Sequence, residues 1–204
     1  MHYSTLIKFC FPISAILFAL FGTNSQAHAQ LEIKNPTLSL GYFGQGVIRP
    51  GVRLGLDFQL KSFSKEKVKG EVTKTKRTTF FGGPHLAHYT RPSYYSNYLI
   101  EIRGGLERQT EGKGFYSALS AGLGYQLNLE VMSFDVDFSG RRSNIEREAR
   151  HFFFPSLRYE AGYEIGRRWR VYLGLTYGVE LSGSYEATSQ GFLEGGFKYK
   201  LQAP

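Results

Sequence analysis

Two groups of residues in this chain could do chemistry, both centred on histidine. An imidazole near a serine hydroxyl and a carboxylate can run acyl transfer, taking the serine proton while the carboxylate orients the ring. His151 has Ser156 nearby, and it shares the stretch 132–151 with Asp135, Asp137 and Ser143. An odd offset on a strand puts two side chains on opposite faces, so His151 and Ser156 point apart. The Asp and Ser residues of 132–151 are a mix that a polar stretch of that length provides by chance. His85 and His88 invite a metal, but their offset of three also sets them on opposite faces and prevents joint chelation. Gly41, Gly44 and Gly46 have no strand-to-helix setting and make no phosphate loop. The one cysteine, Cys10, lies in the first 29 residues, which excludes thiol and cysteine-metal chemistry from the rest. These patterns yield no catalytic, cofactor or metal site. A histidine beside the three phenylalanines Phe152, Phe153 and Phe154 reads more simply as an interfacial residue.

The elements that would hold such groups start after a targeting segment. Lys8, the apolar run Phe9 to Phe21 and the Ala27-His28-Ala29 cleavage site describe a secretory signal peptide over 1–29. Residues 30–204 would form one domain. Loss of Lys8 leaves the mature chain still strongly basic. No later stretch is long and apolar enough for a spanning helix. An exported chain of this size without disulfides needs a full core, a closed barrel or a membrane to hold it.

Nearly everything after residue 36 alternates at period two, the signature of half-buried strands. Eight segments emerge: 37–43, 51–60, 75–90, 98–107, 115–131, 157–165, 169–181 and the C-terminal run from Leu193. The first and third are the least regular, and the third contains Pro84. In the six clear strands one face is apolar and free of charge. The opposite face carries Arg53, Asp57, Glu101, Arg103, Glu130, Arg158, Glu160, Glu164, Arg170, Glu180, Glu194, Lys198 and Lys200.

A soluble barrel would turn the charged face to water, whereas a membrane barrel turns it to the lumen. Three features favour the membrane form. The polar face is rich in glycine, which a narrow lumen needs and a solvated surface does not. Its cations and anions nearly balance, as pairing in a closed space requires. Aromatic residues gather at strand ends, at Phe80-Phe81, Tyr94-Tyr95, Phe152 to Phe154 and Trp169, where interfacial girdles belong. The expected fold is therefore all-β, a closed antiparallel up-and-down transmembrane β-barrel of eight strands. With both termini in the periplasm, the outer connections are 44–50, 91–97, 132–151 and 182–190. The periplasmic ones are 61–74, 109–114 and 166–168. The basic segment 61–74 is long for a periplasmic turn, and an error in the strand count would move it outside.

This pattern resembles the small eight-stranded outer-membrane barrels of Gram-negative bacteria, of the OmpA-transmembrane-domain and OmpX type. Gly196, Tyr199 and Leu201 match the C-terminal assembly signal of such proteins, though Gly195 replaces a polar residue and Gln202 to Pro204 follow where an aromatic usually ends the chain. The resemblance implies insertion by the outer-membrane barrel assembly machinery and placement in the cell outer membrane. Some members act on lipid A, one kind through an outward-facing His, Ser and carboxylate and another through His, Asp and Ser in outer loops. His151 with its neighbours is the only candidate here.

The expected role is structural or one of surface interaction, without catalysis and without cofactor. Arg53, Asp57, Glu101, Arg103, Arg158, Glu160, Glu164, Glu180, Glu194 and Lys198 would form a lumenal charge network that plugs the barrel, since eight strands enclose a space that side chains can fill. A narrow pore for small solutes and a lipid A-modifying enzyme are the alternatives. The basic stretches 61–77 and 141–150 suit outer-membrane lipids and lipopolysaccharide better than nucleic acid, and the protein is expected to be a monomer.

Overall fold

A computed structural model describes residues 34–46, 49–69, 72–91, 94–110, 114–136, 142–182 and 187–201. The expected signal peptide, with Cys10, lies outside them, as do Asp137 and the terminal Gln202 to Pro204. Eight strands run in chain order: β1 (Lys34–Gly44), β2 (Gly51–Lys69), β3 (Val72–Arg91), β4 (Tyr95–Thr110), β5 (Phe115–Val136), β6 (Arg142–Ile165), β7 (Trp169–Leu181) and β8 (Ala187–Lys200). Each pairs antiparallel with its neighbour, and β1 pairs with β8, so the sheet closes into a barrel. Closure leaves no free edge through the barrel wall, the condition for strands that cross a membrane.

The two faces sort as period two requires. On β7, Trp169, Leu173, Leu175 and Tyr177 are exposed, each more than half. Arg170, Tyr172, Thr176 and Glu180 alternate with them and are buried. Ile102 and Leu173 each reach 73% exposure, and they belong to a continuous exposed apolar face of the kind that membrane barrels turn to lipid.

Connections are shorter than expected because two hairpins continue as strand. The segment 61–74 is not a loop: β2 and β3 stay paired from Lys61↔Phe80 out to Lys69↔Val72. Likewise 132–151 is mostly β5 and β6, paired out to Val136↔Arg142. The remaining links between strands fall at 45–50, 92–94, 137–141 and 182–186 at one end. At the other end, where β1 begins and β8 finishes, they fall at 70–71, 111–114 and 166–168. We call these the loop end and the terminal end. With eight strands in place, 61–74 belongs to the terminal end. A spanning strand needs only about 9–11 residues, so β2–β3 extends past the wall at the terminal end and β5–β6 at the loop end. Apolar alternation stops where lipid stops, and that is why these extensions read as breaks.

Pro84 sits in β3 at a gap in the ladder. The β2–β3 register keeps phase on both sides of it, from Gly55↔His85 to Phe58↔Gly82, but 56–57 are not paired opposite 83–84. A residue without an N–H is tolerated where no ladder bond is asked of it.

Candidate functional site: a filled lumen

Inward positions of all eight strands meet in the lumen, and they stack in layers. The central layer is ionic. Arg53 pairs with Glu194 and lies 3.4 Å from Glu101, which also holds Arg103 at 2.8 Å. Arg158 bridges Glu160 at 2.8 Å and Glu194 at 2.9 Å, while Lys198 reaches Glu160 at 2.6 Å and Asp57 at 3.6 Å. Asp57 additionally meets His85 Nε2 at 2.9 Å. Four cations thus face four carboxylates, and apart from Asp57 at 6% none is more than 3% exposed. Buried charges persist only when paired and hydrogen-bonded. Ser156 donates to Glu101, Thr176 to Glu194, and Tyr116 to Glu160 at 2.8 Å.

Above this, toward the loop end, lies an aromatic layer. Phe43, Tyr89, Phe154 and Phe192 are 2% exposed or less and pack with Ala87 and Leu99. Phe43 stacks on Phe192 at 4.4 Å, Tyr89 meets both edge-on at 5.7 and 5.1 Å, and Phe154 lies 6.1 Å from Phe192. The layers follow from strand spacing. Leu99 precedes Glu101 by one inward position, Phe154 precedes Ser156, and Phe192 precedes Glu194. Arg53 joins the layers, its guanidinium carbon 3.9 Å from the centroid of Phe43.

Amides form a cap at the loop end. Tyr89 donates to Gln190 at 3.1 Å, Gln190 accepts from Gln45, and Gln126 donates to Asn97 at 3.1 Å and to Glu180. At the terminal end a second ionic group holds Arg170, which makes two 2.9 Å bonds to Glu107 and lies 2.7 Å from Glu164, and Lys200, 2.5 Å from Glu164. A polar vestibule of about 130 Å³ opens there, lined by Arg77, Glu107, Gln109, Arg170 and Lys200, and reaches Asp57 and Lys198 of the central layer.

Glycine makes room for these groups. A Cβ on Gly122 would stand 2.0 Å from Glu101 Oε1, and one on Gly178 would stand 2.1 Å from the Phe154 ring.

Of the expected charge network, Arg53, Asp57, Glu101, Arg103, Arg158, Glu160, Glu194 and Lys198 come together in the central layer. Glu164 lies apart, in the terminal-end group. Glu180 lies apart as well, bonded to an amide in the cap rather than to a cation. Sequence reasoning missed Glu107, though it stands in phase with Glu101 and Arg103 at the end of its strand. It also missed the aromatic layer. The sequence puts Phe81 and Phe154 in interfacial girdles, but Phe81 is 8% exposed and Phe154 is fully buried, because within each aromatic run alternate residues turn inward. Tyr95 packs against the aromatic layer rather than standing at the interface. Of the assembly residues, Tyr199 lies on the outer face against Trp169 at 4.8 Å with Arg168 donating to its hydroxyl, Leu201 is exposed, and Gly196 pairs with Gly41.

The histidines separate as their offsets require. His85 is buried in the lumen, whereas His88 lies on the outer face stacked on Tyr98 at 4.6 Å. His151 is exposed on β6, opposite Leu127, and shares a 2.5 Å hydrogen bond with the Tyr125 hydroxyl. Ser156 instead bonds Glu101 inside. Ser143, paired with Asp135, is eight residues along β6 from His151, about 27 Å on an extended strand.

No family model and no curated protein matches the chain. Among solved structures it is similar to Neisserial surface protein A (NspA), with 11% identity over 82% of this chain and 95% of that one, at a TM-score of 0.48. It is also similar to the outer membrane enzyme PagL, with 14% identity over 83% of this chain and 99% of that one, at a TM-score of 0.43. One neighbour is a surface protein and the other an enzyme, and overlap this loose transfers neither role. The architecture rests on the chain itself: an eight-stranded, closed, antiparallel up-and-down barrel with an apolar outside and a charged inside.

Proposed function

We propose that the protein is a monomeric, non-conducting barrel of the cell outer membrane, with a structural or surface-interaction role and no catalytic activity. The observation that carries this reading is the closure of the lumen by two consecutive layers, one ionic and one aromatic, whose members are almost wholly buried. A pore needs a continuous polar path, and the four rings interrupt it. The paired β5–β6 extension at the loop end offers a surface beyond the membrane, with Arg150 held by Glu130 at 3.2 Å and by Glu148 at 3.3 Å. His151 supports the non-catalytic reading, since the described residues bring it a tyrosine and no serine or carboxylate.

The test is a proteoliposome flux assay with a small solute such as arabinose. The proposal expects efflux at the rate of protein-free vesicles, and swelling on a porin timescale would overturn it. Fractionation is expected to place the protein with outer membranes, with a gel mobility that changes on boiling. Expression should leave cellular lipid A acylation unchanged, and any change that His151→Ala abolishes would favour the enzyme.

A further inference from the structure

The outer face of the barrel is not uniform at the terminal end. On β6 to β8 its rim is aromatic, with Tyr163, Trp169 and Tyr199. On β2 to β5 the register instead builds three rows. Lys61, Phe80, Leu106 and Leu119 stand side by side in the first, and Phe63, Thr78, Arg108 and Ser117 in the second. Lys65, Lys76 and Thr110 form the third. The first row is the edge of the apolar band. The next two place cations and hydroxyls just beyond it, at the depth of headgroups.

Three observations mark this as more than a solvated rim. Lys65 is directly opposite Lys76, a like-charge pair that destabilises a hairpin unless something anionic lies between them. Among the described residues Lys65, Lys76 and Arg108 have no carboxylate partner, in contrast to Arg150 on the loop-end hairpin. The same three line one groove of about 650 Å³, with Phe115 on its wall and Glu66 as its one carboxylate. Glu66 is next to Lys65 in the strand, so it starts from the opposite face.

We propose that this groove binds an anionic glycerophospholipid of the membrane leaflet at the terminal end. The phosphate would sit among Lys65, Lys76 and Arg108, with Thr78, Thr110 and Ser117 as hydroxyl donors. The acyl chains would lie along Phe80, Leu106 and Leu119. Charge complementarity selects an anionic headgroup, and the adjoining apolar row selects a molecule with chains over a soluble anion. This rests on the reading of the protein as an outer-membrane barrel, with the terminal end facing the periplasm.

The experiment is native mass spectrometry of the folded barrel in detergent, titrated with phosphatidylglycerol or phosphatidylcholine. Wild type is expected to retain phosphatidylglycerol preferentially, with the preference weakened by salt. Each of Lys65→Gln, Lys76→Gln and Arg108→Gln should lower it about fivefold, and the triple variant should bind both lipids alike. The control Arg147→Gln/Arg150→Gln, on the loop-end hairpin where these residues stand opposite Val131 and Asn128, should keep the wild-type preference. Equal retention of both lipids by wild type overturns the proposal, as does a preference that survives the triple change or vanishes in the control. If the triple variant instead loses cosedimentation with isolated peptidoglycan while its lipid preference stands, the cations serve the cell wall and the lipid assignment falls. Boiling-sensitive mobility and vesicle tightness, measured on the same samples, report on the barrel itself, so failure here is separable from failure of the proposed function.

Discussion

The ionic and aromatic layers fill the same lumen by opposite means. The aromatic layer closes by shape: Phe43, Tyr89, Phe154 and Phe192 touch edge and face, and loss of any one leaves a void. The ionic layer closes by neutrality, with four cations and four carboxylates sharing partners so that no charge stands alone. Voids are local, whereas an unpaired buried charge is felt by every partner it had. The ionic layer should therefore be the more brittle of the two, although it forms no better seal.

The largest effect is expected where one carboxylate serves two arginines. Glu194→Gln leaves Arg53 and Arg158 each short of a partner and should cost about 3–5 kcal/mol, read as a lowered urea midpoint in lipid vesicles. Phe192→Ala, at the centre of the aromatic layer, should cost about 3–4 kcal/mol and is expected to loosen the seal, with small-solute leakage as the readout. Replacing both Arg53 and Glu194 by methionine strands only Arg158, which keeps Glu160, and leaves Glu101 with Arg103, so it should cost less than Glu194→Gln alone, by about 2 kcal/mol. If the double change is instead the worse, neutrality is not what holds the layer. The smallest effect belongs to the exposed ion cluster of Arg150 with Glu130 and Glu148 at the loop end, where Arg150→Ala should shift the midpoint by about 0.5 kcal/mol or less. Tyr199→Asp tests assembly rather than packing: a charge placed on the outer face at Trp169 should keep the protein out of the membrane fraction.

Much of this molecule is legible in its sequence because lipid enforces alternation. A charge-free face repeated over strands such as Val52 to Leu60 or Phe115 to Val131 identifies the outside, and its complement supplies eight of the ten expected network residues to one layer. Legibility fails where the solvent changes. Beyond the apolar band, Lys61 to Lys69 and Arg142 to Arg150 remain strands held by pairing across the hairpin, but a polar surrounding has replaced hydrocarbon and the apolar code stops. It fails also inside, where Phe192 stands opposite Thr176 and Phe154 opposite Gly124 among inward positions that are mostly polar or small. Hydrophobicity marks the lipid face only statistically, and a lumen wide enough for a ring will accept one. Phase was the available signal, since Phe154 is in step with Arg158 and Phe192 with Glu194. Partner choice was not legible at all, because the links from Arg53 to Glu101 and Glu194 depend on register and on which side chains span the lumen.

The central claim is that the lumen is closed, and single-channel recording in a planar bilayer tests it most directly. Wild-type protein at neutral pH should insert without stepwise conductance, and Glu160→Gln or Arg158→Gln should not open a path while the rings above remain. Regular, resolvable steps from wild-type protein, altered in size by either substitution, would mean that ions pass through the charged layer and would contradict the account.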